Sequence, residues 1–187
     1  MADPALDIPR FTAEGYLELE NDGAWKHEFV NGVVYAMSGA SRRHNAIAGD
    51  LFSALNAHLP LGPFLAFALD MKVHIKTAED ERFYYPDVFV TCSPDDRGDY
   101  ASDKPVLIVE VMSPSTEHVD RGAKFAAYTS LPSLQEYVLV SQKTARAEVF
   151  RRRTGWTSEV YDGAADITLE SIELTMPLSA AYRRVSL

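Results

Sequence analysis

The chain has 187 residues, with 18 Lys+Arg against 27 Asp+Glu and a net charge of −9, a length that fits one domain over residues 1–187. Hydrophobic residues make up 47%, which fills a sizeable core and excludes an intrinsically disordered chain. The acidic balance excludes a general basic coat for nucleic acid but leaves room for a local basic groove.

Residues 1–9 carry Asp3 and Asp7 and no basic stretch, so they do not read as a signal peptide. Residues 12–20 look helical, with Thr12 as N-cap. Asn31-Gly32 then sits between two β-rich runs, the strongest short hairpin signal, and a two-residue turn there puts Glu28, Val30, Val33 and Tyr35 on one face. Ser41 caps a helix from Arg42 to about Leu59, in which His44, Ile47, Ala48, Leu51, Leu55 and Leu59 recur at helical spacing and Pro60, Gly62 and Pro63 end the run.

Residues 64–69 read as a short strand. Met71, Val73 and Ile75 alternate with Lys72, His74 and Lys76 as a half-buried strand, residues 77–81 make a charged turn, and residues 82–91 return as one strand. Residues 93–104 read as a mobile polar loop. Residues 106–111 form an apolar run broken only by Glu110, as in a central strand covered on both faces. A helix over 117–131 and a buried strand over 135–140 imply a parallel pair with a right-handed crossover. Strands over 145–151 and 156–161 follow, then an apolar strand near 167–169 and a short helix or coil near 178–182. The whole is an α/β (α+β) arrangement, a mixed sheet flanked by helices with an N-terminal hairpin. No apolar stretch approaches the roughly 20 residues that span a bilayer. Cys92, the one cysteine, permits neither an internal disulfide nor a cysteine-based zinc knuckle, which fits a reducing cytoplasm.

Phosphate loops of the Gly-rich Lys-Ser/Thr type, the Gly-x-Ser-x-Gly elbow, Gly-x-Gly-x-x-Gly and calcium-loop spacing are all absent; His27-Glu28 opens like a zinc helix motif but Asn31 stands where the second His belongs. Two misplaced acids remain. Glu110 lies inside an apolar strand, and a carboxylate is rarely buried unless paired or bound to a metal. Asp87 follows Pro86 at the start of Val88-Phe89-Val90. Either acid alone reads as a structural ion pair or turn residue. Side by side on paired strands they could hold Mg²⁺ with waters and phosphate oxygens. Glu28, on the face shared with Val30, Val33 and Tyr35, either points at the core or the site or, read by itself, is a surface residue opposite Lys26 or Arg42. Lys124 shares a helical stripe with Arg121, Phe125, Tyr128 and Leu131, where it either snorkels or reaches Glu110. His44 reads as a core or capping residue unless its helix packs beside the Glu28 hairpin. Arg151-Arg152-Arg153 reads first as a solvated strand end.

Pro86-Asp87 followed by Glu110 on the next apolar strand resembles the PD-(D/E)XK nuclease signature. The segments at residues 27–35, His44, Tyr85-Pro86-Asp87-Val88, residues 107–116, Lys124 to Tyr128 and Glu136 to Val140 together resemble the Uma-two family of restriction-endonuclease-like proteins, over roughly residues 11–160. That resemblance implies a restriction-endonuclease-like fold and Mg²⁺-dependent hydrolysis of DNA phosphodiesters, with Mn²⁺ as a substitute. It implies Asp87, Glu110 and the Val111 carbonyl as metal ligands and Glu28 and Lys124 as catalytic partners. Arg42, Arg43, His44 and Arg121 are assigned to substrate contact, and a homodimer is expected for double-strand cutting. The superfamily lysine two residues after the Glu is replaced by Met112, a place that Lys124 takes over in this branch, and Ser141 stands where family members often carry Asp. The alternatives are a catalytically inactive nuclease-fold module that binds DNA or a protein partner, and a hydrolase of a small phosphate substrate.

Overall fold

The computed structural model describes residues 10–23, 25–59, 63–96 and 98–187. The expectations for residues 1–9 and for Pro60 and Gly62 as helix terminators lie outside the described residues.

Helix α1 (Ala13–Asp22) starts where Thr12 Oγ1 accepts from Gly15 N at 3.1 Å. Strands β1 (His27–Val30) and β2 (Val33–Ala36) pair with Val30 opposite Val33, so Asn31 and Gly32 form a two-residue turn with φ of 48° and 88°. Positive φ at both positions is what Asn-Gly supplies. Helix α2 (Arg42–His58) begins at Ser41, whose Oγ accepts from His44 N at 3.1 Å, and buries Ile47, Ala48, Leu51 and Leu55.

The chain continues through β3 (Leu65–Ala68), β4 (Lys72–Lys76), β5 (Glu81–Tyr84), β6 (Val88–Thr91), β7 (Ala101–Ser102) and β8 (Pro105–Met112). A helical segment follows: α3 (Glu117–Val119), a π-helical turn at Asp120–Lys124, and α4 (Phe125–Thr129). Then come β9 (Glu136–Ser141), β10 (Arg146–Arg151), β11 (Ser158–Asp162), β12 (Asp166–Leu169), β13 (Leu174–Pro177) and a 3-10 turn at Leu178–Tyr182.

The strands form a five-stranded sheet in the order β2-β1-β5-β4-β7, a six-stranded sheet in the order β11-β10-β9-β8-β6-β3, and the pair β12-β13. The architecture is α+β, with sheets flanked by helices, as in restriction-endonuclease-like proteins. The expected parallel pair is β8 with β9, Glu110 standing opposite Leu139.

Several expectations need correction. Residues 82–91 are not one strand. Pro86 has no N–H to donate to a ladder, and at Tyr85-Pro86-Asp87 the chain leaves the five-stranded sheet as β5 and enters the six-stranded sheet as β6. The loop over 93–104 is tied down by Asp96, which accepts from Thr91 Oγ1 at 2.6 Å and Ser102 Oγ at 2.5 Å, and it contains β7, parallel to β4. Strand β13 was not foreseen in the sequence; it pairs with β12 from Asp166 opposite Pro177 to Leu169 opposite Leu174. Lys72, expected on a wet face, is buried, with its ammonium 5.0 Å from the Tyr85 ring centroid.

The six-stranded sheet separates two cores. Leu107, Val109 and Val111 of β8 face α2 together with Val88, Val90, Val138 and Val140. Ile108 and Met112 face the opposite way, against Tyr128, Leu131, Tyr137 and Leu139. Strand alternation puts Glu110 on this second face.

Arg151 is not a solvated strand end. It is 1% exposed and donates to Glu136 Oε1 at 2.9 Å, with Glu136 equally buried. Glu136 also accepts from Glu170 N at 3.0 Å and Ser171 N at 2.8 Å, fixing the turn after β12. Arg152 donates to the Leu131 and Leu134 carbonyls and Arg153 pairs with Glu170, so all three arginines hold the fold. Glu136→Ala is expected to lower stability in urea denaturation by about 3–5 kcal/mol, because it removes one partner of a buried ion pair and the acceptor of the Glu170 and Ser171 amides, although Arg151 keeps Glu159. Arg153→Ala, at an exposed pair, should leave the midpoint almost unchanged.

Candidate active site

The pairing of β6 with β8 sets Val88 opposite Val109, which brings Asp87 beside Glu110. Asp87 N lies 3.4 Å from Glu110 Oε2, and Val111 N donates to Asp87 Oδ2 at 2.7 Å. Glu110, 3% exposed, has Lys124 Nζ at 3.2 Å and Tyr128 OH at 3.1 Å, both at Oε1. Lys124 therefore reaches the carboxylate and does not snorkel. Its ammonium also lies 2.9 Å from Glu28 Oε1 and 3.9 Å from Asp120 Oδ1. Glu28 turns inward from the hairpin, which overturns its reading as a surface residue facing Lys26 or Arg42.

The π-helical turn decides which helical residues enter the site. A π turn inserts about one extra residue, and such turns recur at functional sites. Here it carries Asp120 and Lys124 inward, both buried, and swings Arg121 out of the expected stripe. Arg121 instead grips Glu148 with two bonds of 2.8 and 2.9 Å. Asp120 escaped sequence reasoning because the stripe was drawn through Arg121, three residues before Lys124; the available signal was its place four residues before Lys124, an equally helical spacing.

His44, on the first turn of α2, sits 2.7 Å from Asp87 Oδ1 through Nε2. Gln142, just past β9, sets that contact. Its Oε1 accepts from Ser41 Oγ at 3.0 Å, which directs Nε2 toward His44 Nδ1 at 3.2 Å and Met112 O at 2.9 Å. A donor at Nδ1 leaves the imidazole proton on Nε2, where it points at Asp87. Gln142 was also missed, since nothing in a lone Gln beside Ser141 marks it. Arg42 is exposed and does not line the cleft; Arg43 and Arg121 line a neighbouring groove. The cleft itself, about 370 Å³, is lined by Asp87, Glu110, Val111, Asp120, Lys124 and His44 among others.

Electrostatically the site is unbalanced. Burial pushes the Glu110 carboxyl well above the usual carboxylate range, and Asp87, Asp120 and Glu28 push it further, against the pull of Lys124. Burial also raises Asp120, partly offset by Lys124 and the Thr116 hydroxyl. Burial works to lower Lys124, but Glu110, Glu28 and Asp120 outweigh it and hold the ammonium protonated. Three carboxylates, Glu28, Glu110 and Asp120, thus lie within 4 Å of one ammonium, and a fourth, Asp87, lines the same cleft. Asp120 Oδ1 is buried without a hydrogen-bond donor among the described residues.

Among the described residues, no group of three or more His, Cys, Asp or Glu side chains is arranged to hold a metal ion. A closed all-protein cage is therefore absent from them. A hard cation bound by one or two carboxylates with waters and phosphate oxygens needs no such cage. The excess negative charge and the orphaned Asp120 oxygen fit a divalent cation of that kind.

The family model Uma2, described as "Putative restriction endonuclease", matches residues 13–180. The chain belongs to the Uma2 family. Relatives include the uncharacterized protein slr1290 of Synechocystis sp., 35% identical over 183 residues, 96% of this chain and 95% of that one. Another from Synechocystis sp., sll1609, is 35% identical over 144 residues, 75% of this chain and 80% of that one. The crystal structure of a putative nuclease belonging to DUF820 from Anabaena variabilis has the same fold, with a TM-score of 0.75 at 16% identity, covering 92% of this chain and 98% of that one. The Uma2 fold is thus nuclease-like. No helix among the described residues is long and apolar enough to cross a membrane.

The raised Glu110 pKa has a thermodynamic sign. The folded protein holds that proton more tightly than the unfolded chain, so the stability it contributes is complete below the ordinary carboxylate range. It is lost as pH rises through the raised value, at about 1.4 kcal/mol per pH unit. With chelator present, Glu110→Gln, which mimics the protonated form, should gain on wild type in thermal midpoint as pH rises toward neutral. A constant difference from acid to neutral pH would contradict the burial effect.

Proposed function

We propose that this Uma2 chain is a Mg²⁺-dependent endonuclease that hydrolyses DNA phosphodiester bonds. The observation that carries this reading is the convergence of Asp87, from the sheet-switching link, and Glu110, from a buried strand, beside the Lys124 ammonium in one open cleft. Asp87 and Glu110 would hold the cation, with the Val111 carbonyl as a further ligand, and Mn²⁺ would substitute. Such a cation lowers the pKa of bound water and neutralises charge on the phosphoryl group.

The roles of the chain's own groups follow from their surroundings. Lys124 stays protonated, so it does not act as a general base. Its ammonium can orient the attacking water and stabilise negative charge that develops on the phosphoryl oxygens. Glu28 and Asp120 hold Lys124 in place, and Glu28 could also accept a hydrogen bond from water. His44 positions Asp87, and Tyr128 positions Glu110. One such site cuts one strand, so a double-strand cut would take two copies of the chain.

A second reading, a catalytically inactive nuclease-fold module, draws on one observation. Both Asp87 oxygens already accept from protein groups, His44 and the Val111 amide, without any cation.

Calorimetric titration with Mn²⁺ and Mg²⁺, paired with plasmid nicking, separates the two. Wild type is expected to bind either ion saturably and to nick plasmid. Asp87→Ala and Glu110→Ala should each weaken ion binding by more than about 100-fold, beyond what loss of an outer-shell partner costs. Lys124→Ala should keep ion binding but slow nicking by about 100- to 1,000-fold. Nicking that survives Asp87→Ala would end the enzyme reading, and no ion uptake by wild type would leave the binding module.

A further inference from the structure

The central cleft continues into a groove on either side. Toward β9 and β10 it shares Ser113, Pro114 and Gln142 with a groove of about 420 Å³. Toward β1 and α2 it shares Met37, His44, Tyr85 and Asp87 with one of about 350 Å³. The two ends have opposite chemistry.

The first end is cationic. The Arg43 guanidinium donates only to carbonyl oxygens, Gln142 O at 3.1 Å and Ser186 O at 2.9 Å. Among the described residues no carboxylate lies within ion-pair distance of it. Lys143, two residues past β9, is exposed and likewise has no ion-pair partner among them. Arg121 and Arg146 border the same groove but are already paired with Glu148 and Asp162. Arg43 and Lys143 are thus two uncompensated positive charges at the mouth of a negative cleft, in a chain of net charge −9.

The other end is aromatic. Trp25 is 77% exposed at the groove rim, and Leu69 beside it is 53% exposed. Lys26, between them, is neutralised by its ion pair with Asp70. An exposed indole can stack on an unpaired base of any sequence, whereas a paired base has both faces covered.

We propose that the three grooves form one track for single-stranded DNA. A base stacks on Trp25 at one end, phosphates meet Arg43 and Lys143 at the other, and the backbone between them crosses Asp87 and Glu110. The track rests on the nuclease reading of the central cleft and adds to it a strand form and two contact sites. Charge complementarity selects the occupant: an anionic strand answers the cationic end, and its bases answer the indole.

The test is anisotropy of a labelled, nuclease-resistant phosphorothioate oligodeoxythymidylate, titrated over a range of salt, in Mg²⁺ and in chelator. Lys143→Ala should flatten the slope of log affinity against log salt by about 0.7, and Arg43→Ala/Lys143→Ala by about 1.4, the value for two phosphate contacts on a single strand. Trp25→Ala should weaken binding roughly tenfold or more and leave that slope unchanged. In a Trp156→Phe background the oligonucleotide should quench Trp25 emission. Unchanged affinity in all these variants would overturn the track, as would a duplex of the same sequence that competes equally well and ignores Trp25→Ala. If the variant pattern appears in chelator while wild type takes up no Mg²⁺, the nuclease reading fails and the track stands. Mg²⁺ uptake with no strand binding retires the track alone.

Discussion

A carboxylate in the middle of an apolar strand is a local cost that the fold has to meet, and Glu110 is that carboxylate. Desolvating a charge without a partner costs several kcal/mol. The strand's neighbours explain how the cost is met. Ladders with β6 and β9 fix the height of Glu110 in the sheet, and alternation turns it toward the helical layer. There Tyr128 and Leu131 pack on Ile108, Met112, Tyr137 and Leu139, which anchors the helix that delivers Lys124. Moving that helix by one turn would take both the Lys124 ammonium and the Tyr128 hydroxyl away from Glu110 Oε1. The apolar core and the charged site are therefore one construction problem: the packing of aromatic side chains sets the position of an ammonium.

The chain contains a second buried acid-base cluster, and the contrast between the two is informative. Around Glu136 the charges close: the carboxylate accepts from Arg151, two backbone amides and the Ser171 hydroxyl, the last at 2.6 Å. Such saturation suits a clamp between strands and leaves nothing for a ligand. Around Glu110 the charges do not close. Carboxylates outnumber the ammonium, one of them has an orphaned oxygen, and the group opens on a cleft rather than on packed side chains. A buried cluster that served only the fold would lose its excess acids at little cost, because replacing buried ions with apolar groups is often neutral or stabilising. Protonation of Glu110 relieves part of the imbalance, and on the reading proposed above a divalent cation would relieve the rest.

Much of this was legible in the chain itself, and the reasons differ by element. The Asn31-Gly32 turn and the Thr12 and Ser41 caps are local effects that depend on a few adjacent residues, and each is found where expected. Glu110 was conspicuous because its neighbours contradict it. The misses share a different cause, since each depends on long-range geometry. Pro86 stands inside the run read as one strand, but no local property says that the chain changes sheets there. Asp120 and Arg121 stand four and three residues before Lys124, both helical spacings, and only the folded π turn shows that Asp120 is buried and Arg121 exposed. Gln142 acquires its place only when β9 ends beside α2 and sets its amide between Ser41 and His44. Arg151 to Arg153 resembled a solvated basic run because the carboxylates and carbonyls that receive them come from three other segments.

These observations bear on how an acidic protein could meet a polyanion. A net charge of −9 repels DNA at long range, yet at physiological ionic strength that repulsion is screened beyond about 8 Å, so contact depends on local charge. Part of the negative charge lies in the cleft floor, where a divalent cation would offset it, and part in the Asp96 loop, which is tied to the far end of β6. Two positive charges without an ion pair among the described residues, Arg43 and Lys143, lie at the cleft's edge. On the reading proposed above, this separation would give a strand something to hold at the rim and reserve the buried carboxylates for the cation. Carbonyl oxygens suit Arg43 on that reading: a carboxylate in that place would fix the guanidinium equally well but would cancel its charge.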